Sequence, residues 1–184
     1  MIGMAQADSF MENEVRTASG GARDEGGASR ARVSVAHYTA DEVIRQFLAV
    51  YNCFDFRAEL EDIGITRMQF VRRKKAVREL RAICIALWGL ALQKSFPKDA
   101  GLFFAEFRET APVLAGGGKE AVRLHERVNE YIDLLAPKRD ADFSPVADYL
   151  AKVLALHARD VARLRLKLSL IIRNLYVLIF DRLV

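Results

Sequence analysis

After Tyr38, apolar residues recur every three or four positions along most of the chain, a spacing that predicts helices. Thr39-Ala40-Asp41-Glu42 is a capping-box sequence, opening a first helix whose Val43, Ile44, Phe47, Leu48 and Tyr51 share a face. Asp55 caps a short second helix with Phe56, Leu60 and Ile63 inward, and Gly64 suits the left-handed residue that ends it. Thr66, with Gln69 three later, makes another capping box and starts a long helix from Thr66 to Phe96, which Pro97 breaks. A fourth helix carries Leu102, Phe103, Phe104 and Phe107 and stops at Ala111-Pro112. Ala115-Gly116-Gly117-Gly118 reads as a turn into a fifth, Lys119 to Ala136, with Val122, His125, Val128, Ile132 and Leu135 on one face.

Ser144 before Pro145 combines a hydroxyl cap with proline at the first helical position. No breaker follows, so Pro145 to Val184 reads as one helix of about 60 Å at about 1.5 Å per residue. The apolar spacing slips near His157 to Asp160, the place where a kink or break in that helix would fall. From Val161 a regular seam runs through Leu164, Leu168, Ile171, Leu175 and Leu178, but Leu170, Ile172, Tyr176, Val177, Ile179 and Phe180 make the flanks apolar too. Such a helix needs cover on several sides, from the centre of a bundle or from a second copy of the chain. The expected fold is therefore all-α: a bundle of about six helices, a disordered N-terminal tail and a long C-terminal helix at the centre. The expected domains are the tail at 1–37 and a helical domain at 38–184, divided into a small basic unit at 38–80 and a bundle at 81–184. A homodimer through the C-terminal helix follows as an expectation.

Composition sharpens the ends of this picture. From Arg16 to Arg32 there is no large apolar residue, so that stretch buries too little surface to offset the entropy of ordering it. The first fifteen residues lack a basic n-region and a continuous apolar run, so no signal peptide is expected and a cytoplasmic location is. Residues 168–180 are too short to span a membrane and carry Arg173 in their middle, so no membrane span is expected.

Charge singles out one stretch. Arg67, Arg72, Arg73, Lys74, Lys75, Arg78 and Arg81 face a single anion, Glu79, in a chain whose net charge is only +4. Such a cluster favours an acidic protein or a nucleic acid as partner. The residues expected to meet it are Arg67, Gln69, Arg72, Arg73, Lys74, Lys75 and Arg78. The leading reading is a non-catalytic interaction or adaptor protein that docks through a basic helix. The alternative comes from Leu60 to Phe70, which resembles a helix-turn-helix: a short helix, a glycine turn, then Ile65 and Thr66 leading into the next helix. That resemblance implies a nucleic-acid-binding regulator with an all-helical oligomerisation domain, with Arg67, Gln69, Arg72 and Arg73 at phosphates and base edges. It departs from the motif at Leu60, where a small residue usually stands, and at Arg73, where an apolar one does.

The remaining candidates for chemistry are thin. His37, His125 and His157 lie on separate segments without a second ligand one turn away, so no metal is expected. Gly116-Gly117-Gly118-Lys119-Glu120 lacks the first glycine and the hydroxyl residue of a phosphate loop. Cys53 and Cys84 read as two small buried side chains kept reduced. No nucleophile stands with a base, so neither an enzyme nor a cofactor is expected.

Overall fold

The computed structural model describes residues 38–114, 117–156 and 160–183. Seven helices and no strand lie within them: α1 Ala40–Cys53, α2 Arg57–Asp62, α3 Phe70–Ser95, α4 Ala100–Leu114, α5 Gly118–Leu135, α6 Ser144–Val153 and α7 Val161–Asp181. The expected tail, residues 1–37 with His37, and also His157, lie outside the described residues.

Thr39 opens α1 as its sequence requires. Its Oγ1 accepts from the Glu42 amide at 3.4 Å, and the Glu42 carboxylate accepts from the Thr39 N–H at 3.0 Å. Val43, Ile44, Phe47 and Tyr51 form the buried face. α2 ends at Gly64, φ 81°, where the Ile65 N–H reaches back to the Leu60 carbonyl at 2.8 Å. Ile65 is fully buried by this closure. The long helix therefore starts at Phe70 and not at Thr66, and the expected second capping box does not form. Thr66 instead supplies a carbonyl to a turn, accepting from the Gln69 N–H at 3.1 Å.

α3 takes the centre of the bundle. Every residue from Ala82 to Gly89 is buried, and α1, α4, α5 and α7 all pack against this helix. Trp88 stacks on Phe47 with ring centroids 4.5 Å apart and meets Phe107 edge-on at 4.8 Å. One hydrophobic core runs from Val43 to Leu183. Among the described residues, no helix is long and apolar enough to cross a membrane.

Several local expectations change. α4 continues through Pro112 to Leu114, past the expected stop. The buried face of α5 is Leu124, Val128, Tyr131 and Leu135, while Val122 is exposed and His125 half-buried. Asp142, not the Ser144 hydroxyl, caps α6, its carboxylate accepting from the Ser144 N–H at 2.8 Å. Cys53 is exposed, whereas Cys84 is buried and its thiol is pushed up by that burial.

The single helix expected from Pro145 to Val184 is interrupted after Val153, close to where the apolar spacing slips, and the interruption has a definite form. At the end of α6 the Leu156 N–H donates to the Ala151 carbonyl at 2.9 Å and the Ala155 N–H to the Lys152 carbonyl at 3.0 Å, with Ala155 at φ 47°. This is the closure that glycine usually makes, here with a Cβ in the left-handed region. α7 then restarts with Asp160 capping the Arg163 N–H at 2.9 Å. It packs along α3 and α6 through Leu168, Ile172, Leu175, Tyr176 and Ile179, leaving Leu166, Leu170, Val177 and Leu178 exposed.

Candidate functional site

The carbonyls freed where α6 ends decide the fate of two expected site residues. The Arg72 guanidinium donates to the Leu154 carbonyl at 3.0 and 3.1 Å and also to that of Ala155, and Lys75 Nζ donates to the Val153 carbonyl at 2.6 Å. Cations at a helix C-terminus satisfy its unpaired carbonyls and oppose its dipole. Arg72 and Lys75 therefore turn inward as structural caps, a correction to their expected role at a partner surface. Arg67 and Gln69 sit in the turn before α3 and not on the helix itself. Arg67 lies 3.5 Å from Glu61, both side chains well exposed, and the Gln69 side chain makes no capping hydrogen bond.

The other cations line a single cleft. Arg73, Lys74, Arg78 and Arg81 recur along one side of α3 and border a hollow of about 570 Å³, closed by Tyr51, Phe70, Val77, Leu124 and Glu120. Among the described residues, only Arg78 of these four has an acid within ion-pair distance, Glu120 at 3.6 Å. Arg73 Nη1 is buried without a hydrogen-bond partner. Arg81 lies over the Tyr51 ring, 5.8 Å from its centroid, and burial pushes the Tyr51 phenol up to about 12. Phe70 stands at the edge of the cleft 74% exposed, and Met68 and Val71, which flank it in the chain, are 84% and 86% exposed. The arrangement is a cationic surface with an apolar rim.

No family model, curated protein or solved structure matches this chain.

Glu79, the lone acid of the basic run, is 1% exposed. It falls at helical spacing with buried Ala76, Leu80 and Ile83, so its carboxylate points into the bundle. There it accepts from the Tyr131 hydroxyl at 2.9 Å and lies 3.5 Å from Arg127 Nε. Arg127 also holds Glu130 at 2.5 Å and the Tyr149 oxygen at 2.6 Å, and the Tyr149 hydroxyl donates to Glu130. This network ties α3, α5 and α6 together. It satisfies a buried charge instead of offering it to a ligand.

Four carboxylates are held below their ordinary range: Glu42 by the Thr39 amide and hydroxyl, Glu130 by the Tyr149 hydroxyl and Arg127, Asp140 by Lys94, and Asp142 by Lys138 and the Ser144 amide. A depressed folded value means stability that is full above the unfolded carboxylate range and lost as pH falls through the folded one. The melting temperature is thus expected to hold near neutrality and to drop progressively below about pH 4. A melting temperature constant from neutrality into strong acid contradicts these assignments.

His125 is held below its ordinary value by partial burial and by nearby Arg108, and it does not line the cleft. Among the described residues, no group of three or more His, Cys, Asp or Glu side chains is placed to hold a metal.

Proposed function

We propose that this chain is a non-catalytic docking protein whose partner is an acidic protein segment, held on the cleft formed by Arg73, Lys74, Arg78 and Arg81. The observation that carries the reading is four cations on one hollow facing one carboxylate. The apolar rim favours protein over duplex. Phosphate backbone offers Met68, Phe70 and Val71 nothing to bury against, whereas a peptide of mixed acidic and apolar residues covers both kinds of surface. The nucleic-acid alternative keeps the same cleft cations but has Arg72 and Lys75 committed to the end of α6. The proposal includes a cytoplasmic setting, where Cys53 and Cys84 remain free thiols. It also includes self-association through the exposed Leu166, Leu170 and Val177 of α7.

The test is anisotropy of a labelled peptide alternating glutamate with leucine or phenylalanine, set against a labelled random duplex, over a series of salt concentrations. The peptide is expected to bind more tightly and to weaken as salt rises. Tighter binding of the duplex, or no peptide binding at low salt, overturns the reading.

A further inference from the structure

A second hollow, sharing no lining residue with the basic cleft, lies where α3, α4 and α5 meet and has a volume of about 390 Å³. It exists because small residues stand where the three helices would otherwise fill it: Ala86 and Gly89 on α3, Ala100 and Gly101 on α4, and Ala136 after α5. Gly89 suits a close approach, since a Cβ there would meet the Phe104 ring at 3.0 Å and the ring would have to give. The floor is apolar, built from buried Leu135 and half-buried Leu90, Phe104 and Ile132. The rim is polar and exposed: Gln93, Arg108, Asn129 and Arg139.

The charges at this rim are one-sided. Among the described residues no acid lines the hollow, and neither Arg108 nor Arg139 has a carboxylate within ion-pair distance. The acid next in sequence to Arg139, Asp140, is taken by Lys94 at 2.6 Å and by the Tyr176 hydroxyl at 3.4 Å. Arg139 keeps its place at the rim with its backbone in the left-handed region, φ 51°. An apolar floor with a few convergent polar groups is the usual composition of a small-molecule site. Guanidinium groups are the donors best matched to a planar or tetrahedral acid.

We propose that this groove binds an amphipathic anion, its acidic headgroup held by Arg108 and Arg139 and its apolar body lying on Leu90, Phe104, Ile132 and Leu135. The volume accommodates about a dozen non-hydrogen atoms at about 30 Å³ each. That is a headgroup with a medium-length hydrocarbon chain or a ring. The site stands independently of the cleft on the N-terminal half of α3.

Binding is read by isothermal titration calorimetry, because Trp88, the chain's one tryptophan, is buried behind Phe104 and does not line the groove. The probes are octanoate and octyl phosphate below their micellar concentrations, against octanol and octyltrimethylammonium of the same chain length. Saturable binding of one or both acids, with weaker binding of the neutral and cationic probes, is the expected result. The tighter of the two acids then identifies the headgroup.

Arg108→Ala and Arg139→Gly are each expected to weaken the acid about tenfold, the loss of one charge-assisted contact. Arg139→Gly also relieves the left-handed backbone, so its melting temperature should not fall, which separates lost binding from lost folding. Gly101→Leu projects into space where a Cβ meets nothing within 4 Å, and should abolish binding by filling the groove. Equal binding of all four probes, no saturable signal with either acid, or undiminished binding by Gly101→Leu overturns the proposal.

Discussion

Arg127→Met is expected to destabilise the protein by about 3 kcal/mol in urea denaturation, the cost of leaving a buried charge without its counter-charge. Glu79 is 1% exposed and would keep only the Tyr131 hydroxyl, because no other cation lies within ion-pair distance among the described residues. The lower end of the usual range applies, since the Arg127 side chain is itself 33% exposed and water screens part of its interaction. Adding Glu79→Gln to Arg127→Met removes the stranded charge and should recover most of the loss. A double variant as unstable as Arg127→Met alone would show that the buried carboxylate is not what Arg127 compensates.

Lys74→Glu combined with Arg81→Glu is expected to lower affinity for the acidic peptide by about a hundredfold, two reversals at about 1.4 kcal/mol each. Both side chains are exposed and neither makes an ion pair among the described residues, so the melting temperature should change little. Arg72→Ala should behave in the opposite way. It strands carbonyls at the end of α6, which costs about 1–3 kcal/mol of stability while the cleft cations stay in place. Affinity measured by anisotropy and stability measured by denaturation therefore divide the basic run into two sets.

That division shows what the sequence can and cannot convey. The helical class follows from apolar spacing, and the Thr39–Glu42 capping box and the Gly64 terminator mark real helix ends because their partners lie within a few residues. The end of α6 was signalled only by slipped spacing, because Ala155 occupies the left-handed position where glycine would have announced the stop. Thr66 misleads because Ile65, buried to close α2, leaves a turn to be completed before α3 can begin. The face of α5 is set by Tyr131 reaching Glu79, a partner 52 residues away, which local periodicity cannot express.

The candidate site was legible as a cluster of cations but not as a surface. Arg72 and Arg73 look alike in sequence, yet one faces carbonyls 82 residues further on and the other faces the cleft. Tyr51, Arg81, Glu120 and Leu124 join the cleft from three helices, and only Arg81 belongs to the basic run. Glu79 could have been found, since it shares helical spacing with Ala76, Leu80 and Ile83 and so falls on their buried face.

Lys74 and Lys75 are neighbours whose amines lie in opposite surroundings, one at the open cleft and one donating to the Val153 carbonyl at 2.6 Å. Amine acetylation of the folded protein, followed residue by residue by mass spectrometry, compares them directly. Rapid modification of Lys74 with Lys75 modified many times more slowly is the expected result. Equal rates would mean that Lys75 does not cap α6, and the separation of inward from outward cations would fail.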